Sequence, residues 1–261
     1  MNLGLDGKTA LVVGGGSGLG RAVALALAAE GANVVAAGRR AEAVEQTAEL
    51  AASAGGAAVG VQLDLTNAGT FAPALAEART RFGDVDILFN SGGGPPPTPA
   101  GGQPLDLWQR QFESIVLGVI QLTDLVVPGM KERGWGRIIT NTSSGVIVPI
   151  PNLGLSNAFR LALVGWSKTL ARELAPRGIT VNVLVPGRIL TDRIRELNEA
   201  QAAREGTTTA DVERASIASI PVGRYGDPAE YAATVAFLAG AQAAYITGSL
   251  IRVDGGAIPA I

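Results

Sequence analysis

Between Gly14 and Gly20 stand five glycines with Ser17 and Leu19, directly after an apolar segment and directly before a helical pattern. Glycines at such a junction let the backbone turn tightly and approach a pyrophosphate. The following helix offers free N–H groups and the positive end of its dipole. Ser17 can add a hydroxyl donor, and Leu19 a backbone N–H, in the same turn. The spacing is Gly-x-x-x-Gly-x-Gly at Gly14, Gly18 and Gly20, since leucine at position 19 breaks Gly-x-Gly-x-x-Gly. A glycine-rich turn without ligand has the same composition, so the reading rests on the strand–turn–helix context. About twenty residues on, the corner that separates the two nicotinamide dinucleotides reads Gly38-Arg39-Arg40. A carboxylate there would hold a ribose 2′-hydroxyl. Arg39 suits a 2′-phosphate through a forked contact, which favours NADP over NAD.

The chain has neither cysteine nor histidine, which excludes disulfides, thiolate nucleophiles, zinc–thiolate sites and the usual general base. Chemistry must come from hydroxyls, carboxylates, Lys, Arg or a borrowed coenzyme, and no metal site is expected. With 21 Lys and Arg against 23 Asp and Glu, and no long run of either sign, a nucleic-acid surface is not expected. Apolar runs are broken by Asp, Arg or Gly short of a membrane span, and Met1 to Lys8 lacks a cationic-then-apolar leader. The expectation is a soluble, cytoplasmic protein with no membrane partner.

The elements that must position this turn alternate along the chain. Strands are expected at Thr9 to Val13, Asn33 to Ala37, Ala58 to Leu63, Asp86 to Phe89, Arg137 to Asn141, Thr180 to Val185 and Leu250 to Val253. Helices are expected after Gly18, with Leu19, Val23 and Leu27 on one face, and at Glu42 to Ala54, Phe71 to Phe82, Leu105 to Arg133, Asn157 to Leu174 and Ala229 to Leu238. Repeated strand–helix units imply right-handed crossovers. The fold class is therefore α/β, a single doubly wound Rossmann-type domain over 1–261, with a parallel sheet of about seven strands and helices on both faces. Thirty-five glycines, about twice average usage, punctuate the ends of the apolar runs. Two stretches resist the alternation, the Gly/Pro-rich Gly92 to Gln103 and the polar Asp192 to Ser219. Both follow expected strands, where ligands bind in such sheets, so they are candidate site walls, the second a mobile substrate-loop segment.

With these motifs in place, the whole chain resembles the short-chain dehydrogenase/reductase family, especially its 3-oxoacyl-carrier-protein reductase-like members. Asp64-Leu65 matches that family's acidic position beside the adenine, and Asn90-Ser91-Gly92 resembles its turn after the fourth strand. Pro186-Gly187 with Ile189 and Thr191 resembles its segment along the nicotinamide; Ile246-Thr247-Gly248 and Val253-Asp254-Gly255-Gly256 match its C-terminal strand. The resemblance implies NADP binding by these residues, a carbonyl or alcohol as small-molecule partner, and assembly as a homotetramer.

The family's catalytic residues are Tyr-x-x-x-Lys, a serine about thirteen residues upstream and an asparagine on the preceding long helix. Alignment through Gly165 puts Ser156 at the tyrosine and Arg160 at the lysine, which also faces the coenzyme. Ser143 keeps the serine, and the asparagine position falls on Ile115. A serine hydroxyl is a much poorer acid than a phenol, and arginine stays protonated. Four residues apart on a helix, the two still share a face. Tyr225, Tyr231 and Tyr245 offer no obvious substitute phenol. The resemblance thus implies an oxidoreductase with a remodelled site, catalytic residues Ser143, Ser156 and Arg160. The alternative is a dinucleotide-binding protein that has lost hydride chemistry and acts as sensor or assembly partner. Halohydrin dehalogenases also carry arginine four residues after their catalytic residue, but lack the glycine turn and keep tyrosine. Walls near Gly93 to Gln103 and Val146 to Leu155 are largely uncharged, so the expected substrate is neutral and moderately hydrophobic.

Overall fold

Runs rich in Val and Ile, apolar along their whole length, form strands that can be covered on both sides. The computed structural model describes residues 2–260; Met1 and Ile261, the ends of the expected domain, lie outside the described residues. Its strands are β1 (Thr9–Val13), β2 (Asn33–Gly38), β3 (Ala58–Gln62), β4 (Ile87–Asn90), β5 (Gly136–Asn141), β6 (Ile179–Pro186) and β7 (Leu250–Val253). They make one sheet in the order β3-β2-β1-β4-β5-β6-β7, and every neighbouring pair is parallel. The fold is the doubly wound Rossmann-type domain that the alternation implied.

Alternation within β1 divides the core. Ala10 and Val12 pack with Val23 and Leu27 of α1 (Gly18–Ala29) and with Tyr231 and Val235 of α9 (Pro228–Ala239). Leu11 and Val13 face the other side, with Phe71 of α3 (Phe71–Phe82), Leu122 and Met130 of α5 (Gly118–Arg133), and Ala171 of α6 (Gly154–Leu174). Each fully buried Val or Leu contributes about 1.5–3 kcal/mol. The helix α2 (Ala41–Ala54) closes the β2–β3 edge with Val44, Ala48 and Ala51 buried.

Two expectations about elements change. Leu105 to Arg133 is not one regular helix: α4 (Leu105–Phe112) passes through a π-helical turn at Glu113–Leu117 into α5. There the chain runs so close to the Leu65 carbonyl that a Cβ on Gly118 would lie 2.1 Å from it. By length and composition this stretch is apolar enough to cross a membrane, with a mean hydropathy of 1.4 over its most apolar window. Its apolar face, Leu122, Val126 and Met130, lies in the core against the sheet. Residues 192–219, expected as a loop, form α7 (Asp192–Glu205) and α8 (Thr209–Ala218). Only Asn198 and Ala202 of α7 are buried, so no apolar stripe announces the helix.

Candidate active site

Strand order reverses between β1 and β4, and the crevice beyond their carboxyl ends is where such sheets hold ligands. Here the chain leaves β1 through Gly14 at φ +76°, and a Cβ on Gly14 would lie 2.6 Å from the Ser91 carbonyl oxygen at the end of β4. The turn closes on itself as tightly at Gly20, where a Cβ would meet the Gly14 carbonyl at 2.1 Å. Arg21 pins it from outside, its Nη2 donating to Gly16 O at 2.7 Å and its Nε to Thr47 Oγ1 at 3.0 Å. Ser17 stands at the N-cap of α1 with its side chain uncommitted, and no acidic residue occupies the first turn of that helix. Free amides and an unspent hydroxyl beside a bare backbone cradle fit a dinucleotide phosphate.

From this turn opens a cavity of about 1000 Å³. It is lined by the glycine turn with Ser17 and Leu19, and by Arg39, Asp64, Leu65, Ser91, Gly92, Pro186, Gly187, Ile189 and Thr191. Ser143, Ser156 and Arg160 line it too, so one cavity gathers every expected site residue except Asn90. Asn90 lies beneath the floor, fully buried, its Nδ2 donating to Thr123 Oγ1 at 3.3 Å. Arg39 is exposed at the mouth and forms no ion pair among the described residues; its carbonyl accepts from Gln62 Nε2 at 3.0 Å. Asp64 Oδ1 accepts from both the amide and the hydroxyl of Thr66 at 2.9 Å.

At the far end, α6 begins at Gly154 and carries Ser156 and Arg160 on its first turns, each only 7% exposed. Arg160 Nε donates to Ser156 Oγ at 3.3 Å, Nη1 to Asn141 O at 3.3 Å and Nη2 to Gly93 O at 3.4 Å. Burial pulls this guanidinium down to about 10, with the Arg193 charge acting in the same direction. It remains a cation at neutral pH, and no carboxylate lies in ion-pair range of it among the described residues. Ser143 Oγ accepts from Gly145 N at 3.2 Å, which starts the short turn after β5. Ile115, the residue aligned with the family's asparagine, does not reach the cavity; it is buried with Val116, Val119 and Leu163. Its neighbour Ser114, in the same π-helical turn, lines the cavity instead.

Three residues of this end had no signal in the sequence. Asn141 joins Arg160 through its carbonyl, while its Nδ2 donates to Ser91 Oγ at 3.2 Å and its Oδ1 accepts from Tyr231 at 2.9 Å. Tyr231 sits fully buried behind the site, and burial pushes its phenol well above the usual range, so it stays protonated. The third, Arg193 on α7, donates from Nη2 to Pro95 O at 3.0 Å. The walls at Gly93 to Gln103 and Val146 to Leu155 are joined, Thr98 N donating to Asn152 O at 2.8 Å and Gly154 N to Thr98 O at 3.0 Å. Asn152 turns this corner at φ +59°, a conformation asparagine tolerates.

Sequence comparison agrees with this geometry. The family pattern described as enoyl-(acyl carrier protein) reductase matches residues 14–257. The 3-oxoacyl-[acyl-carrier-protein] reductase of Escherichia coli strain K12 is 37% identical over 253 residues, covering 96% of this chain and 97% of that protein. The chain belongs to the short-chain dehydrogenase/reductase family. Among solved structures of such reductases, an actinorhodin polyketide ketoreductase variant with NADPH superposes with a TM-score of 0.93 at 32% identity, over 97% of this chain and 98% of that one. The L-sorbose reductase of Gluconobacter frateurii, complexed with NADPH and L-sorbose, gives 0.93 at 30% identity, over 100% of both chains. In this short-chain dehydrogenase/reductase no tyrosine lines the cavity: Tyr231 lies behind it, Tyr225 OH accepts from Asn198 Nδ2 at 3.0 Å, and Tyr245 is fully exposed. The polar groups around Ser156 are hydroxyls and the buried Arg160 guanidinium, with Arg193 nearby; such groups can bind and stabilise an oxyanion but hold no readily transferable proton.

Proposed function

We propose that the protein is an NADP-dependent oxidoreductase interconverting a carbonyl and an alcohol, with Ser156 and Arg160 standing where its relatives use a phenol and an ammonium. One observation carries the reading: Arg160 is buried at the floor of the cavity that begins at the glycine turn, with its Nε on Ser156 Oγ. The coenzyme is NADP, its phosphates against the glycine turn and Arg39 on the 2′-phosphate, with Asp64 and Leu65 beside the adenine. When bound in its reduced form, it would supply a hydride to the carbonyl carbon and leave as NADP⁺. Pro186, Gly187, Ile189 and Thr191 line the nicotinamide side.

Ser143 and Ser156 donate to the substrate oxygen. Because Ser156 Oγ accepts from Arg160, its own hydrogen is free to point into the cavity. The guanidinium favours the negative charge that grows on that oxygen as hydride arrives. Proton delivery then falls to Ser156 or to water, since arginine cannot shuttle protons. Without a phenolic acid, turnover is about 10²–10⁴-fold slower than in a relative that has one. The same substitution favours a second reading, a dinucleotide sensor without turnover. Purified protein titrated with NADPH and NADH, then assayed for nicotinamide oxidation against ketones and 3-oxoacyl thioesters, separates the two. Oxidation with some carbonyl supports the enzyme; tight binding with no oxidation supports the sensor. The chain assembles as a homotetramer through its long helices, α4 with α5 and α6, and the C-terminal strand β7, where Phe112, Leu125, Leu161 and Leu250 are exposed.

A further inference from the structure

The substrate end of the cavity is less neutral than its uncharged loops suggest. Arg160 reaches Gly93 O from α6, and Arg193 reaches Pro95 O from α7, so two guanidiniums grip one three-residue stretch from two helices. Gly94 lies between those contacts, and a Cβ there would come within 3.3 Å of Arg193 Nη2, so the bare glycine lets that side chain lie against the loop. Both arginines line the cavity.

Arg160 has no carboxylate partner among the described residues, and the one ion pair of Arg193 is long and exposed. The three partners of Arg160 are two carbonyls and a hydroxyl, and the nearby Tyr231 phenol stays protonated. Glu196, which also lines the cavity, lies 3.6 Å from Arg193 with its side chain 65% exposed, so solvent screens the pair and leaves it weak. Asp192, one residue away, is held by Arg195 at 2.5 Å. Burying the Arg160 cation is costly unless an anion completes it, and the charge of Arg193, whose side chain is 43% exposed, adds to that cost. Guanidinium forks match a carboxylate in two-point geometry.

We infer that the substrate is an oxo acid, a carbonyl compound whose free carboxylate lies on Arg193 beside Arg160. This rests on the proposal that the same cavity takes the carbonyl next to Ser156. It replaces the neutral substrate expected from the loop sequences. The remaining N–H groups of Arg160 face the carbonyl oxygen, and Arg193 fixes the other end, which sets the orientation of the carbonyl face.

An oxyanion for Arg193 has two sources, the substrate carboxylate and the coenzyme pyrophosphate. Calorimetric titration of NADP⁺-loaded protein with short oxo acids, the ketone alpha, beta or gamma to the carboxylate, each against its methyl ester, reads the site without turnover. The expected result is at least one acid binding about tenfold or more tightly than its ester. Arg193→Met is expected to remove that preference while the NADPH dissociation constant stays within about twofold. Arg193→Lys, which keeps the charge, is expected to restore part of it. Equal affinity of every acid and its ester overturns the inference. So does loss of NADPH affinity in Arg193→Met, which assigns that side chain to the pyrophosphate. Acid-selective binding without NADPH oxidation would leave the inference standing and remove the proposed activity, so the two fail separately.

Discussion

Ser156 and Arg160 lie one helical turn apart, and the hydrogen bond between them makes the serine an oriented donor and the arginine a fixed charge. The pH behaviour follows from which groups titrate. Burial lowers Arg160 to about 10, so the cation is complete at neutral pH and is lost as pH rises through that value. No histidine or cavity-lining tyrosine adds a step nearer neutrality. The rate of NADPH oxidation is therefore expected to be level between about pH 6 and 9 and to fall only on a limb near 10. A step near neutrality in the pH–rate profile would contradict these roles. At the other end, Arg39→Ala is expected to weaken NADPH by about tenfold or more in a fluorescence titration and to leave NADH unchanged. Equal changes for both coenzymes would remove Arg39 from the 2′-phosphate.

Among the elements, α9 carries Tyr231 to the back of the site and is the helix most securely started. Asp227 Oδ1 accepts from Ala229 N at 2.7 Å, Glu230 Oε2 accepts from Asp227 N at 2.7 Å, and Pro228 opens the first turn. Arg224 and this amide hold Glu230 down at about 2, so its contribution is present above the ordinary carboxylate value and lost as pH falls towards 2. Asp227→Ala is expected to cost about 1 kcal/mol in urea denaturation at neutral pH. How far the elements could be read depends on their pattern. The strand at Thr9–Val13 and the helix at Phe71–Phe82 appear with the expected bounds because period and flanking residues agree. α7 could not be read, because a helix that buries only Asn198 and Ala202 has no apolar period. Ser156 and Arg160 were legible only through the family resemblance, by alignment on Gly165, and they share one cavity with the glycine turn that spacing marked. Asn141 and Tyr231 escaped because their link spans ninety residues and forms only once α9 packs behind β5. Arg193 escaped for the same reason, its partner Pro95 lying ninety-eight residues away.

For the molecule as a whole, the strand order places the reversal between β1 and β4, and everything proposed for function lies at that one end of the sheet. The faces left apolar lie elsewhere, with Leu125 of α5 53% exposed and Leu161 of α6 52% exposed. Light scattering is expected to give four times the 26.5 kDa chain mass, and Leu125→Glu with Leu161→Glu to give a smaller species. The central claim is that a dinucleotide spans this crevice from the glycine turn to the serine–arginine pair. A crystal structure with NADP⁺ bound tests it most directly. The account predicts the pyrophosphate against the first turn of α1 and the nicotinamide ring within about 4 Å of the Ser156–Arg160 pair, near-contact distance for reaction. A nicotinamide ring bound away from that pair, or a coenzyme that makes no contact with the Gly14 to Gly20 turn, would contradict it.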